Sequence, residues 1–407
     1  MSQPSAGRAR LFGALKIVFA VLLLGWVAST LPWRDELVLK YGEQGKQELA
    51  VPGEIDGVWR EDAVLFRVDA EAELVATWPE EVRAAQAAGT ALPVTRALAK
   101  QEGFSWRPGM PRVFRGIESS ALALAMLLVV LGTVCGTTRW WRILNLAACP
   151  SGWWNTLRLS YLGMFFNLVV PGLTGGDVPK AIFVVREHPE RRADALMTVV
   201  LDRMIGLWAL IGLATGAILA NPGKLDDLRI PVTGAFVIAT SGMTVVLSSR
   251  VRGWFRLDKL IPRLPLGEKI VQLETAARVF SGKPREVVLA LTLSVFNHLS
   301  VIGSAYVLGH GFGDALGYTS YISIVSVGNV ISSLPISPAG WGIGELAYRE
   351  LFELAGSAGA IGVAVSVSYR LCTVALGLAG GLFLLTRGPG AVRESVREAE
   401  RAIQEAS

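Results

Sequence analysis

Long apolar runs separated by short charged stretches set the pattern of this chain. Leu11–Leu31, Ile117–Thr137, Leu196–Leu219, Val232–Ser248, Val287–Leu308 and Ile361–Thr386 are each long enough to cross a bilayer as a helix. Two further runs do not complete a crossing. Trp153–Val170 breaks at Pro171, Gly172, Leu173, Thr174, Gly175, Gly176 and Asp177, and the stretch after it, Ala181–Arg192, is short and charged. Tyr318–Leu334 breaks over Pro335–Gly344 and resumes at Glu345–Leu354. Each of these reads as a helix that enters hydrocarbon, breaks, and leaves on the side it came from. Irregular backbone at that depth is tolerated only where it is buried in protein or lines a wet cavity, so both breaks are candidate sites.

The two breaks correspond. Each runs from proline through glycines to an acid that opens a helix. Pro171 lies 32 residues before Arg203, and Pro338 lies 32 residues before Arg370. Each arginine sits inside an apolar run. The pattern predicts an internal repeat of span, hairpin, span over about 117–219 and 287–386. Paired interruptions in matching halves point to a transporter's site.

Charge orients the elements. The net charge is +5, and the chain is 52% hydrophobic and 18% charged. The positives cluster beside apolar runs, which is the positive-inside pattern, so no nucleic-acid partner is expected. Arg8 and Arg10 place the N-terminus in the cytoplasm, with 1–31 a retained anchor. Arg139-Trp140-Trp141-Arg142 marks the cytoplasmic end of the second span. Residues 249–286, with nine Lys/Arg against four Asp/Glu, form another cytoplasmic stretch, in which Gln272–Phe280 reads as an amphipathic helix. The tail 387–407 is cytoplasmic. The first hairpin then opens from the cytoplasm and the second from outside, so the repeats over 117–386 are inverted.

Residues 32–116 differ in composition. They hold 11 Lys/Arg and 14 Asp/Glu, a net of −3. Leu37–Lys40, Gln47–Val51 and Ala63–Val68 alternate like strands, Pro52-Gly53 and Asp56-Gly57 read as turns, and Pro79–Ala99 reads as helical. The expected fold class is an all-α polytopic membrane protein with inverted repeats and two re-entrant hairpins, plus a small α+β extracytoplasmic insert. Cys135, Cys149 and Cys372 lie in or beside apolar segments, and none is in the insert, so no disulfide framework is expected. The three histidines have no metal-ligand spacing, and no phosphate loop or nucleophile elbow is present, so no cofactor is expected.

The chemistry rests on charges in apolar runs. An arginine at a helix centre costs about 2.5–3.5 kcal/mol on insertion scales, so Arg203 and Arg370 are expected to face the bundle interior with a partner. One reading is a bidentate grip on a lipid phosphate. The other is a structural ion pair with Asp177, Asp202 or Glu345. Asp177 precedes Arg203 by 26 residues and Glu345 precedes Arg370 by 25, so each acid is expected to meet its arginine. Either acid also fits as a cap on a helix N-terminus, or in a role in gating, ion coupling or contact with a cationic headgroup. Gly172, Gly175, Gly176, Gly340, Gly342 and Gly344 permit close backbone approach, to a ligand or to a helix. Lys180 and Arg186 suit a lipid phosphate or the positive-inside pattern equally. Asn167, Asn297 and Asn329 suit helix–helix hydrogen bonds more than ligand contacts.

Asn167–Asp177, Asp202-Arg203 and Pro335–Glu345 together resemble the lysylphosphatidylglycerol synthase transmembrane family, over roughly 117–386. The resemblance implies an inner-membrane protein that moves a lipid between leaflets, the best-known cargo being aminoacylated phosphatidylglycerol. No soluble synthase domain follows the last span, so the chain is not expected to make aminoacyl lipid. The insert 32–116 stands where the family has a short loop. The reading is a lipid flippase-like transporter that moves or binds a phosphate-bearing lipid. The rival readings are a membrane-embedded transferase, with Asp177 or Glu345 as base, and a scaffold whose insert recruits an extracytoplasmic protein. Oligomeric state is not legible.

Overall fold

The computed structural model describes residues 33–41, 47–95 except 60 and 62, 104–169, 177–247 except 221, 222 and 224, and 282–385 except 335, 336, 338 and 339, with a few scattered positions in 18–29 and at 251. The anchor, the amphipathic stretch at 272–280 and the tail lie outside the described residues, apart from those scattered positions. So do Pro171, Gly172, Gly175, Gly176 and Pro338.

The N-terminal strands form one antiparallel sheet. β1 (Asp35–Tyr41), β2 (Gln47–Asp56), β3 (Ala63–Val68), β4 (Leu92–Thr95) and β5 (Phe104–Arg107) lie in the order β4-β3-β2-β1-β5. β3 alternates exposed and buried residues along its length, so one face carries the core. Leu37, Ile55, Phe66, Trp78 and Val82 close that core, Val82 from helix α1 (Glu80–Ala88). Each large apolar side chain removed from water here contributes about 1.5–3 kcal/mol.

Two local expectations fail. Pro52-Gly53 is not a turn: it lies inside β2, paired to Glu36 and Asp35 of β1. β3 pairs with β2 only from Gly53 onward, so at Pro52 one side of the strand has no ladder to break. The helix in 79–99 also stops early. Gly89 adopts a left-handed φ of 64°, its N–H bonds back to the helix, and the chain returns as β4. Asp56-Gly57 is a turn as expected, with Gly57 at φ 98°.

Asp35 ties the sheet to the helical part. Its carboxylate accepts hydrogen bonds from the backbone N–H of Ile55 and of Gly109, and from Arg112 Nε at 2.7 Å. Arg112 belongs to the short helix α2 (Met110–Arg115), which leads into the first long helix. Met110 and Val113 join the same apolar cluster as Phe312 and Ile361.

The remaining described chain is helical. α3 (Ser119–Leu146), α6 (Arg192–Ala220), α8 (Pro284–Gly311) and α11 (Gly359–Leu385) are long; α7 (Arg229–Leu247) follows a 3-10 turn at Asp226–Leu228. These five are long and apolar enough to cross a membrane, so the protein is multi-pass. They coincide with five of the six expected spans. The shorter helices come in two packed pairs, α4 (Trp153–Val169) with α5 (Asp177–Glu187), and α9 (Tyr318–Ser332) with α10 (Ile343–Ala355).

The packing is matched between halves. α3 lies along α8. α4 packs on α11, and its counterpart α9 packs on α6; α5 packs on α6 as α10 packs on α11. In lipid the hydrophobic effect does not drive helices together, so close backbone approach carries the contact. Gly132 supplies it between α3 and α8: a Cβ there would stand 3.2 Å from Asn297 Oδ1.

One span boundary needs correction. α3 does not end at Thr137. It continues to Leu146, and Arg139 and Trp140 are buried. The Arg139–Arg142 stretch is thus not an interfacial terminus throughout. Arg142 pairs with Glu286, but Arg139 points inward.

Candidate functional site

A cavity of about 430 Å³ lies between the halves. α3, α4, α5, α6, α8, α9 and α11 all contribute to its wall. Gly132 and Gly136 of α3, and Gly163 of α4, leave the room for it.

One side of the cavity carries charge. Asp202, on α6, is 7% exposed and is held by two cations. Arg139 Nε reaches its Oδ1 at 2.7 Å, and Lys180 Nζ stands 3.6 Å from its Oδ2. Arg139 also donates to Ser294 Oγ at 2.7 Å, so three elements meet on one guanidinium. Lys180 lies over the Trp140 ring, 4.0 Å from the ring centre. A carboxylate this deep is stable only when paired and hydrogen-bonded, and these contacts supply both. Asp202 was one of three acids, with Asp177 and Glu345, that the sequence offered as ion-pair partners for the arginines in the apolar runs. The structure gives it Arg139 and Lys180 instead.

Arg203 is held differently. Its Nη1 stands 3.4 Å from Asp177 Oδ2, in the first turn of α5, so the expected acid–arginine meeting occurs. The pair is not buried as the sequence suggested: the Arg203 side chain is 47% exposed, towards the cavity. Successive positions on a helix point about 100° apart, so Asp202 meets Arg139 of α3 and is sealed while Arg203 stays open to the cavity.

The second pair is closed. Arg370 Nε lies 2.6 Å from Glu345 Oε1, with side chains 13% and 1% exposed. Arg370 Nη2 donates to the Gly340 carbonyl at 2.7 Å, and the guanidinium lies over the Trp341 ring. Glu345 Oε2 accepts the Gly342 N–H at 2.6 Å, and Ser366 donates to its other oxygen. Glu345 therefore caps α10 and pairs with arginine at once, so the two readings of that acid are both realised. Gly340 and Gly342 take φ of 73° and 82°, which favour glycine. Gly344 has no room for a Cβ, because Arg370 Nη2 and Ser332 Oγ occupy the space. Neither Glu345 nor Arg370 lines the cavity, but Tyr369 and Thr373 beside Arg370 do, as do Asn329 and Ser333.

The rest of the cavity wall is uncharged and polar, with Thr137, Asn297 and His298 prominent. His298 Nε2 is 2.8 Å from the Gly206 carbonyl. Thr137 is 3% exposed and its hydroxyl has no partner among the described residues. Asn167 lies near the end of α4, its amide oxygen likewise without a described partner, and it does not line the cavity. No group of three or more metal-binding side chains occurs among the described residues.

The sequence led to the expectation that both arginines line one cavity; the structure places Asp177, Lys180, Asp202 and Arg203 there and leaves Glu345 and Arg370 outside it, closed on each other. The sequence reading missed Arg139, Thr137 and His298. An arginine followed by two tryptophans and a second arginine has the look of an interface, and nothing in the chain signals that Arg139 meets Asp202, 63 positions away.

The model of the lysylphosphatidylglycerol synthase TM region matches residues 104–381, which takes in every helix of the cavity wall. The chain belongs to that family. No curated protein matches the sequence. The family and the five spanning helices make this a multi-pass membrane protein related to lipid handling.

Proposed function

We propose that the protein binds a phosphate-bearing lipid in the cavity between its halves and moves it between leaflets. The carrying observation is Arg203, a cavity-facing guanidinium whose acid partner stands at 3.4 Å. A loosely engaged arginine can turn both N–H forks to a phosphate without stranding a buried carboxylate. Lys180 and Asp177 belong to the same grip. Glu345 and Arg370 form the matching closure in the other half, with the glycines at 340, 342 and 344 letting backbone pack against the arginine. Residues 171–176, with Pro171, Gly172, Gly175 and Gly176, and Pro338 in the second break, are the hairpin tips of this reading.

The halves are inverted repeats, each a span, a re-entrant hairpin and a span. The exchange of partners between halves, α4 on α11 and α9 on α6, supports this. The membrane is the inner membrane, with both termini cytoplasmic and 32–116 an extracytoplasmic domain that is free to engage a protein partner. A cysteine at Pro189 should label only from the cytoplasm and one at Ala355 only from outside; labelling of both from one face overturns the inverted arrangement. The transport reading is tested with the full chain in vesicles that carry a tail-labelled phospholipid in one leaflet. Exchange between leaflets should rise well above that of protein-free vesicles, and equal rates overturn it.

A further inference from the structure

The charge balance of the cavity points to a narrower cargo. Its wall holds three cations, Arg139, Lys180 and Arg203, and two carboxylates, Asp177 and Asp202, with His298 counted as neutral. Asp202 is taken by Arg139 and Lys180, and Asp177 by Arg203. One positive charge is left over, and no described carboxylate in the wall lacks a cation. The remaining polar groups are amides and hydroxyls. Asn297 lines the cavity and has no hydrogen-bond partner among the described residues, and Asn329 uses only its amide oxygen, which accepts from Tyr348 at 3.1 Å. The Thr137 hydroxyl is buried, lines the cavity and is unpartnered among the described residues.

We infer that the cavity takes a monoanionic phosphodiester lipid whose headgroup beyond the phosphate is an uncharged polyol or sugar, not an amine. This rests on the lipid-phosphate reading above. The phosphate matches the one positive charge by which Arg139, Lys180 and Arg203 outnumber Asp177 and Asp202, with Arg203 the most exposed of the three cations. Headgroup hydroxyls, which both donate and accept, match the vacant amide groups of Asn297 and Asn329 and the Thr137 hydroxyl. An ammonium would stand beside a net positive wall, with no carboxylate to receive it unless an existing ion pair opened.

The test measures binding of short-chain lipids to the full chain in detergent. The probes are phosphatidylglycerol, phosphatidylinositol, phosphatidylmethanol, phosphatidylethanolamine and the uncharged diacylglycerol; phosphatidylmethanol keeps the monoanionic phosphodiester but carries no polyol. Phosphatidylglycerol or phosphatidylinositol should bind about tenfold more tightly than phosphatidylmethanol or phosphatidylethanolamine, the gain of one or two neutral hydrogen bonds. Soluble glycerophosphoglycerol should bind more weakly than the lipid; equal binding overturns the lipid in favour of a water-soluble phosphodiester.

Thr137→Val keeps the shape and removes the hydroxyl. It should bring the polyol lipid to within about twofold of phosphatidylmethanol while the melting temperature holds, because no protein hydrogen bond is lost. A merely structural Thr137 leaves the ratio unchanged, and that result overturns the inference. So does equal or tighter binding of phosphatidylethanolamine. If phosphatidylmethanol binds above diacylglycerol but the polyol adds nothing, this inference falls and the phosphate reading stands. If no phosphate-bearing lipid exceeds diacylglycerol, both fall.

Discussion

Asp177–Arg203 and Glu345–Arg370 occupy matching places in the two halves, at nearly equal spacing along the chain, yet they are held differently. The first is separated by 3.4 Å and faces a cavity; the second closes to 2.6 Å, with its acid 1% exposed. Around Arg370 the second half adds a backbone carbonyl, a tryptophan ring and two glycines. Around Arg203 the described first half adds no such clamp. The charge that is sealed in the first half is instead Asp202, next to the open arginine, and its clamp is Arg139 from α3. Nearly equal charge spacing along the chain therefore leaves one guanidinium open to a cavity and the other sealed. What decides is how many neighbouring groups converge on the guanidinium, not the guanidinium itself.

The difference predicts a ranking of stability effects. The largest belongs to the sealed pair. Arg370→Met leaves Glu345 buried without its cation, and breaking a buried pair in this way costs about 3–5 kcal/mol. Adding Glu345→Gln should restore much of the melting temperature, because the amide oxygen still accepts from the Gly342 N–H and the amide NH2 can donate to the Ser366 hydroxyl. A single variant that melts like the parent would show the second pair to be no closure at all.

Arg139→Met comes next. It removes the aligned partner of Asp202 but leaves Lys180 at 3.6 Å, so the loss should fall below that range, at about 2–3 kcal/mol. Lys180→Met should then be milder alone and severe in combination, since either cation partly covers for the other. Thermal unfolding of the two single variants and the double variant measures this coupling. Additive losses would mean that the two cations do not share the carboxylate.

Much of this arrangement was legible in the sequence, and the limits have physical causes. Spans announce themselves because lipid demands an unbroken apolar run, and five expected runs became helices, four of them within a few residues and α3 running on nine residues past Thr137. The acid–arginine pairs were legible because they recur at fixed spacing. Burial was not. Asp202 and Arg203 are neighbours in sequence with opposite fates, set by which side of α6 meets α3. Arg139 was hidden because its partner comes from another helix. In the sheet, Pro52-Gly53 has the composition of a turn, and only the absence of β3 pairing at Pro52 explains its place in a strand. β4 was hidden in a stretch read as helical, since Gly89 alone ends α1.

The smallest stability effect, and the sharpest functional one, belongs to the open pair. An exposed ion pair is worth about 0.2–1 kcal/mol, because water already solvates both charges. Arg203 faces the cavity with nearly half of its side chain exposed, so Arg203→Met should shift the melting temperature little. That is the opposite of what a charge at helix depth suggests from sequence, and it separates the two roles. If Arg203 only balances Asp177, then Arg203→Met with Asp177→Asn removes both charges together and should move lipid at the parent's rate. If Arg203 holds the phosphate, the double variant stays folded but inactive, since no guanidinium remains to replace the headgroup's water. The second outcome is expected. Arg203→Lys should recover part of the rate, because a point charge still attracts phosphate but loses the bidentate fork. The readout is lipid exchange in vesicles beside thermal unfolding for each variant. A stable double variant with full exchange would falsify the grip and leave Arg203 as a counter-ion. An inactive, stable double variant, with Arg370→Met unstable beside it, would establish that matched positions in the two halves divide binding from closure.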